Sequence, residues 1–214
     1  MAENLADYRK SYEKGELLEG AIPTNPFELF SKWFSEVENA GGVEEANAMT
    51  VASIDEEGFP KSRIVLLKSY SENGFVFYTN YNSEKGKSLL NNPKVSLSFF
   101  WPNLERQVII KGEALKLSKK ESEAYFNKRP RGSQIGAWAS NQSEKINSRE
   151  VLSNKVQQLE KEYENKQIPK PDHWGGFVVK AKTIEFWQGR PNRLHDRMLY
   201  SLDLNKWISN RLAP

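Results

Sequence analysis

The chain has 214 residues, of which 38% are apolar and 12% aromatic, so it is long and apolar enough for one sizeable domain with a real core. Its 31 basic and 28 acidic residues nearly cancel to a net charge of +3, and no dense basic stripe of the kind that grips nucleic acid runs along it. The absence of cysteine excludes disulfides and thiolate chemistry, and two histidines fall short of a usual zinc ligand set. The opening MAENLADYRK has no apolar centre of the secretory type, and no apolar run approaches membrane-spanning length. A cytoplasmic protein with no membrane contact is therefore expected.

Residues 1–24 read as a polar arm carrying Arg9, Lys10 and Tyr12, and a disordered tail is an equally good reading of that composition. Asn25-Pro26-Phe27-Glu28 then starts a helix: Asn25 can cap it, Pro26 suits the first turn, and Phe27, Phe30, Phe34 and Val37 share one face. Gly41-Gly42 ends it. Between about 48 and 117 come short runs rich in Val, Ile, Phe and Tyr, namely MTVASID, SRIVLLKSY, GFVFYTN, KVSLSFFW and RQVIIKGEALKL. Turn signals separate them, which is the pattern of an antiparallel meander or small barrel. A short helix over Ser83 to Asn92 interrupts it. Ser118 and Glu121 form a capping box for a helix ending near Pro130, the stretch 131–143 is polar and small, and a longer helix runs from about Ser148 to the stop at Pro169 and Pro171. Strands return in GFVVKAKTIEFWQ, RMLYSL and around Trp207-Ile208. The whole predicts a mainly β fold with flanking helices, residues 25–214 forming a single domain.

No phosphate loop, dinucleotide glycine fingerprint or serine nucleophile elbow is present, so hard chemistry here would belong to a bound cofactor. Four constellations could meet ligands. Arg63 and Lys68 bracket a strand and point to opposite faces, addressing two anions or serving solubility alone. Tyr78-Thr79-Asn80 leads to Ser83 and Lys85 at a helix N-terminus, a place that suits a phosphate and also an ordinary capped helix. Tyr125, Lys128, Arg129, Arg131 and Ser133 crowd a helix end, either clamping a phosphate or compensating the helix dipole. Trp187, Arg193, His195 and Arg197 combine flat surfaces with donors, which suits a heteroaromatic ring or a polar hairpin with a packed Trp.

RIVLLK at 63–68, YTNYNSEKGK at 78–87, RQVIIKG at 106–112, RPRGSQIGAWASNQS at 129–143, EFWQGRPNRLHDRMLY at 185–200 and the closing RLAP resemble the pyridoxamine/pyridoxine 5'-phosphate oxidase family. The resemblance spans nearly the whole chain. It implies a six-stranded antiparallel FMN-binding split barrel with surrounding helices, working as a homodimer with FMN at the subunit interface. It implies oxidation of pyridoxine and pyridoxamine 5'-phosphates to pyridoxal 5'-phosphate, with oxygen as acceptor, hydrogen peroxide as product and ammonia from the amine. It places the FMN phosphate on Arg63 and Lys85 with Gln142 and Ser143. The flavin is expected along Ile64, Val65, Leu66, Leu67, Lys68, Tyr78, Thr79 and Gln107, with Trp187 and Arg197 reaching it from the other subunit. The substrate phosphate falls to Lys68, Tyr125, Arg129 and Ser133, the pyridine ring to Arg193 and His195 as catalytic residues, and the lid to Arg9 and Tyr12. Glu84 departs from relatives that carry a basic residue beside Lys85, and a carboxylate there weakens FMN binding unless it points away. A split-barrel flavin reductase with another substrate, or a non-catalytic FMN- or pyridoxal-phosphate-binding protein, are the alternatives to the oxidase.

Overall fold

The computed structural model describes residues 4–8 and 10–214; Arg9 lies outside them. In chain order the elements are α1 (Pro26–Ala40), β1 (Ala48–Ile54), β2 (Pro60–Leu66), β3 (Ser69–Ser71), β4 (Gly74–Asn80), α2 (Glu84–Asn91), β5 (Lys94–Trp101), β6 (Arg106–Lys116), α3 (Lys119–Lys128), α4 (Arg131–Ala139), α5 (Arg149–Glu162), β7 (Trp174–Gln188), β8 (Asp196–Asp203) and β9 (Lys206–Leu212). The described strands form one nine-stranded sheet in the order β2-β1-β5-β6-β7-β4-β3, with β8 added to β7 and β9 to β8. The pairs β3–β4, β4–β7, β7–β8 and β8–β9 are antiparallel. At fifteen residues β7 is long enough to serve two neighbours, pairing with β4 through Trp174–Val179 and with β8 through Thr183–Gln188.

Local signals decide several boundaries. Asn25 accepts the Phe27 N–H at 2.9 Å, and Ser118 and Glu121 exchange both bonds of a capping box. The expected single strand SRIVLLKSY is two, β2 and β3, split at Leu67-Lys68. The stretch after Pro130, read from the sequence only as polar and small, forms α4. Its glycines and serine lower helix propensity, but Arg131 donates to Lys166 O at 3.0 Å and to Tyr163 O, so support arrives from the far end of α5.

The chain divides into two compact units, the first of Met1–Thr50, Leu97–Lys111 and Ala181–Pro214 and the second of Val51–Ser96 and Gly112–Lys180. The core of the first unit is aromatic. Phe30 meets Phe99 edge-on at 5.3 Å, Trp33 meets Phe186 at 5.2 Å, and the buried Trp101 indole donates to Ala46 O at 2.9 Å. In the second unit Phe126, Ile135, Ala139, Leu159, Ile168 and Trp174 form one buried cluster that binds α3, α4 and α5 to the start of β7.

Candidate active site

The second unit holds a cavity of about 630 Å³ whose lining includes Lys68, Lys85, Tyr125, Arg129 and Gln142. The N-terminus of α2 forms one part of it. Ser83 caps the helix, accepting from Gly86 N at 3.2 Å and donating to Asn80 O at 2.6 Å. Gly86 has no room for a side chain, because a Cβ would stand 2.3 Å from Tyr81 O. This tight turn buries Lys85, whose ammonium donates to Thr79 Oγ1 and Gln142 Oε1, each at 3.0 Å. Burial, reinforced by the positive charge of Arg63, pushes Lys85 down to about 8. Arg63 is itself tethered, donating to Ser53 Oγ at 2.7 Å and Lys61 O at 2.8 Å, and burial lowers its affinity for its proton as well. Two cations are thus held close enough to repel each other, with only neutral groups hydrogen-bonded to them. Glu84 does not join them by hydrogen bond: its carboxylate pairs with Lys61, and its backbone N–H donates to Ser143 Oγ at 3.3 Å. Ser143 takes a left-handed backbone (φ 77°) to reach that position.

The junction of α3 and α4 supplies another part. Tyr78, Tyr125 and Trp174 lie nearly parallel, with interplanar angles of 15°, 10° and 6° and a shortest centroid separation of 3.9 Å. The register of β4 on β7, Asn80 opposite Trp174, brings the indole there. The Arg129 guanidinium stands 4.5 Å from the Trp174 ring and 5.6 Å from Phe126. Its Nη1 is buried and has no hydrogen-bond partner among the described residues. Burial lowers the Arg129 pKa, and no carboxylate acts to restore it. Lys128 and Ser133 line the same cavity.

In the first unit the chain beyond β7 turns through Pro191–Arg193, where Asn192 and Arg193 both have positive φ (57° and 64°), and leaves Arg193 exposed. His195 Nδ1 accepts the Arg190 backbone N–H at 3.1 Å, so the neutral ring carries its proton on Nε2. Trp187, His195 and Tyr12 form an aromatic group, with centroids 4.7 Å apart for Trp187–His195, 5.7 Å for Tyr12–Trp187 and 5.8 Å for Tyr12–His195. The buried Glu105 holds the arm there. Its carboxylate accepts Glu13 N at 2.8 Å and Lys14 N at 3.0 Å and pairs with Lys10 at 3.2 Å, while its carbonyl accepts Gly189 N at 2.8 Å.

Residues 36–163 match the family model described as pyridoxamine 5'-phosphate oxidase, and residues 174–214 match the pyridoxine 5'-phosphate oxidase C-terminal dimerisation region. A pyridoxine/pyridoxamine 5'-phosphate oxidase of Flavobacterium psychrophilum is 57% identical over 212 residues, covering 99% of each chain. One of Christiangramia forsetii is 55% identical over the full length of both. The chain belongs to the pyridoxine/pyridoxamine 5'-phosphate oxidase family. Among solved structures, PhzG of Burkholderia lata, in complex with tetrahydrophenazine-1-carboxylic acid, superposes with a TM-score of 0.87 at 26% identity, covering 94% of this chain and 100% of that one. The mainly β split-barrel fold with flanking helices is therefore the fold of this chain, and the expected six core strands sit in a sheet of nine.

Set against what the oxidase resemblance implies, the second unit brings together Ile64, Val65, Leu66, Lys68, Tyr78, Thr79, Lys85, Tyr125, Arg129, Ser133 and Gln142 around one cavity. Arg63 and Ser143 do not line it; they neighbour its Ile64 and Gln142 in the chain. Leu67, just past the end of β2, is buried and does not line it. Gln107, on β6, belongs to the first unit, as do Tyr12, Trp187, Arg193, His195 and Arg197. Arg197 donates to Glu185 Oε1 at 2.8 Å and to Ala213 O at 2.9 Å. Trp174, Ser53 and Glu105 were not legible as site residues, because each owes its place to partners distant in sequence.

Proposed function

We propose that the chain oxidises pyridoxine 5'-phosphate and pyridoxamine 5'-phosphate to pyridoxal 5'-phosphate, using FMN, as a homodimer with FMN at the subunit interface. The observation that carries the reading is the buried, unpartnered Arg129 Nη1 in a cavity shared with Lys68, Tyr125 and Ser133. A buried guanidinium donor without an acceptor is costly, and a phosphate monoester supplies the acceptor and the countercharge together. Arg63 and Lys85 form a second cationic place, where the burial and the repulsion by Arg63 that lower Lys85 are offset by another phosphate, that of FMN. Gln142 and Ser143 add neutral donors to it.

When bound, FMN supplies the two-electron acceptor for hydrogen removed at C4' of the substrate and passes those electrons to oxygen, giving peroxide. The chain's own task is to fix the substrate's position. Lys68, Tyr125, Arg129 and Ser133 hold its phosphate. Ile64, Val65, Leu66, Tyr78, Thr79 and Gln107 face the flavin, joined by Trp187 and Arg197 of the second copy. His195, with Nδ1 occupied, presents Nε2–H as a donor to the substrate oxygen, and Arg193 adds positive charge beside it. Tyr12 covers the ring.

The test is the visible spectrum of FMN-loaded protein mixed anaerobically with pyridoxine 5'-phosphate. Bleaching of the oxidised flavin, recovery in air and appearance of pyridoxal 5'-phosphate are expected. A flavin that stays oxidised with both the alcohol and the amine leaves a binding protein and removes the oxidase.

A further inference from the structure

A buried guanidinium ordinarily recovers its lost hydration from a carboxylate. Among the described residues Arg129 has none: burial lowers its pKa and Tyr125 raises it. What it has is the face of Trp174, 4.5 Å from the guanidinium carbon, with the Phe126 ring at 5.6 Å. The difference matters for ligand binding. A carboxylate would stabilise the cation and at the same time occupy its in-plane N–H donors, so an incoming phosphate would have to displace it. An aromatic face stabilises the cation from above and below the plane and consumes no donor. The in-plane edge stays free, as the unpartnered Nη1 records.

Trp174 is in turn fixed on three sides. Its ring lies 5.4 Å from Tyr78 and 6.2 Å from Tyr125 in near-parallel planes. Its carbonyl accepts from Lys170 Nζ at 2.9 Å, and its strand is registered on Asn80. The indole is buried and lines the cavity.

We propose that Trp174 is the positioning residue for substrate phosphate: its uncharged ring stabilises the half-buried Arg129 guanidinium without accepting a hydrogen bond, so that the donor Nη1 is reserved for the phosphate. This makes Trp174 a determinant of selectivity for phosphorylated over unphosphorylated ring substrates. The inference rests on the assignment of Arg129 to the substrate phosphate made above.

The experiment compares wild type, Trp174→Leu, Trp174→Phe and Arg129→Ala as FMN-loaded proteins. For each, KM and kcat are measured with pyridoxine 5'-phosphate, and equilibrium binding is measured with pyridoxal 5'-phosphate and with unphosphorylated pyridoxal. Trp174→Leu is expected to raise KM and the pyridoxal 5'-phosphate Kd about tenfold, with kcat within about twofold and pyridoxal binding unchanged. Trp174→Phe keeps a π face and is expected to recover most of that loss. Equal weakening of phosphorylated and unphosphorylated ligands would mean that Trp174 only supports the fold, and would overturn the proposal. So would an unchanged KM in Trp174→Leu alongside a large rise in Arg129→Ala, with the phosphate assignment surviving. An unchanged KM in Arg129→Ala removes the assignment and the proposal together. If Trp174→Leu does not fold, Trp174→Met, which keeps apolar bulk without a π face, takes its place: a rise confined to the phosphorylated ligand supports the proposal, and no rise overturns it.

Discussion

The cations around the second unit's cavity are held differently from those of the first unit's arm and hairpin. In the first unit, Arg190 meets Glu16 at 3.3 Å and Asp196 at 3.6 Å, Arg197 meets Glu185 at 2.8 Å, and Arg211 meets Asp196 at 2.7 Å and also pairs with Glu19. In and beside the cavity of the second unit, Lys85 is held by a hydroxyl and an amide, Arg63 by a hydroxyl and carbonyls, and Arg129 by an indole face. The paired cations fasten the arm, β7 and the β8–β9 hairpin together. The cations without a carboxylate hydrogen bond are left to pair with something that arrives, although Glu84 acts on Arg63 and Lys85 at longer range. Residue type does not separate these uses, since Arg129 and Arg197 are the same side chain; the neighbours do.

If that contrast is functional, removing an unpaired cation should cost binding rather than folding. Arg129→Ala is expected to have the largest effect. Losing a charged hydrogen bond of about 2–3 kcal/mol raises KM for pyridoxine 5'-phosphate roughly 30- to 150-fold, with FMN content unchanged. A KM within twofold of wild type would break the comparison at its strongest point. Arg193→Ala, in the other unit, should instead lower turnover while FMN stays bound, and parallel loss of both would refute that division of labour.

Lys85 gives the next test. A lysine lowered to about 8 is partly neutral above that pH, and a phosphate beside it restores the charged form. Binding of FMN to the cofactor-free protein at pH 8.5 is therefore expected to take up a fraction of a proton, read from calorimetry in two buffers of different ionisation enthalpy. Lys85→Met should abolish the uptake and weaken FMN about tenfold, on the order of one charged hydrogen bond. In stability the sign is equally definite: the folded state holds this proton less tightly than the unfolded chain, so burial of the charge destabilises below pH 8, and the cofactor-free protein gains stability as pH rises from about 8 towards the lysine's ordinary value.

How far this was legible in the sequence follows from the range of the forces involved. The N-cap at Asn25 and the capping box of Ser118 and Glu121 are written within four residues, and both stand where expected. The helix α4 is not, because its composition disfavours it and the compensating bonds come from Arg131 to carbonyls more than thirty residues away. The resemblance picks out Arg129 as a ligand residue, but that its partner is the uncharged ring of Trp174, supplied by strand register, is a tertiary fact. The same holds for Glu84. The residue next to Lys85 is acidic, and only the fold shows Lys61 taking up its carboxylate.

Glu105 sharpens the other side of the contrast. It is buried, and burial alone would raise its pKa; the N–H groups of Lys14 and Glu13 and the Lys10 ammonium more than offset this and hold it below its usual range. Glu105→Gln removes the charge and leaves an amide that cannot serve all three donors. A loss of about 1–2 kcal/mol is expected, read as a lower melting temperature, together with faster hydrogen exchange at residues 13 and 14. Unchanged exchange there would mean that other contacts seat the arm.

The smallest effect belongs to the pair of Arg211 and Glu19, on the protein surface. The bond from Arg211 holds the Glu19 carboxyl down at about 2, and its own hydrogen bonding within the arm helps. A carboxylate whose folded pKa is depressed contributes stability that is complete above its ordinary value near 4.5 and is lost as pH falls towards 2. Because the side chain is exposed, solvent and salt screen most of this interaction. Glu19→Gln should therefore shift the melting temperature slightly at pH 6, less so at high salt, and not at all near pH 2. Arg211→Met should have the larger effect, since Arg211 also holds Asp196 and the Leu17 carbonyl. If the two substitutions prove equal at pH 6, Glu19 is the principal partner of Arg211, and the arm is fastened mainly by charge at its surface rather than by the bonds to Asp196 and the arm's backbone.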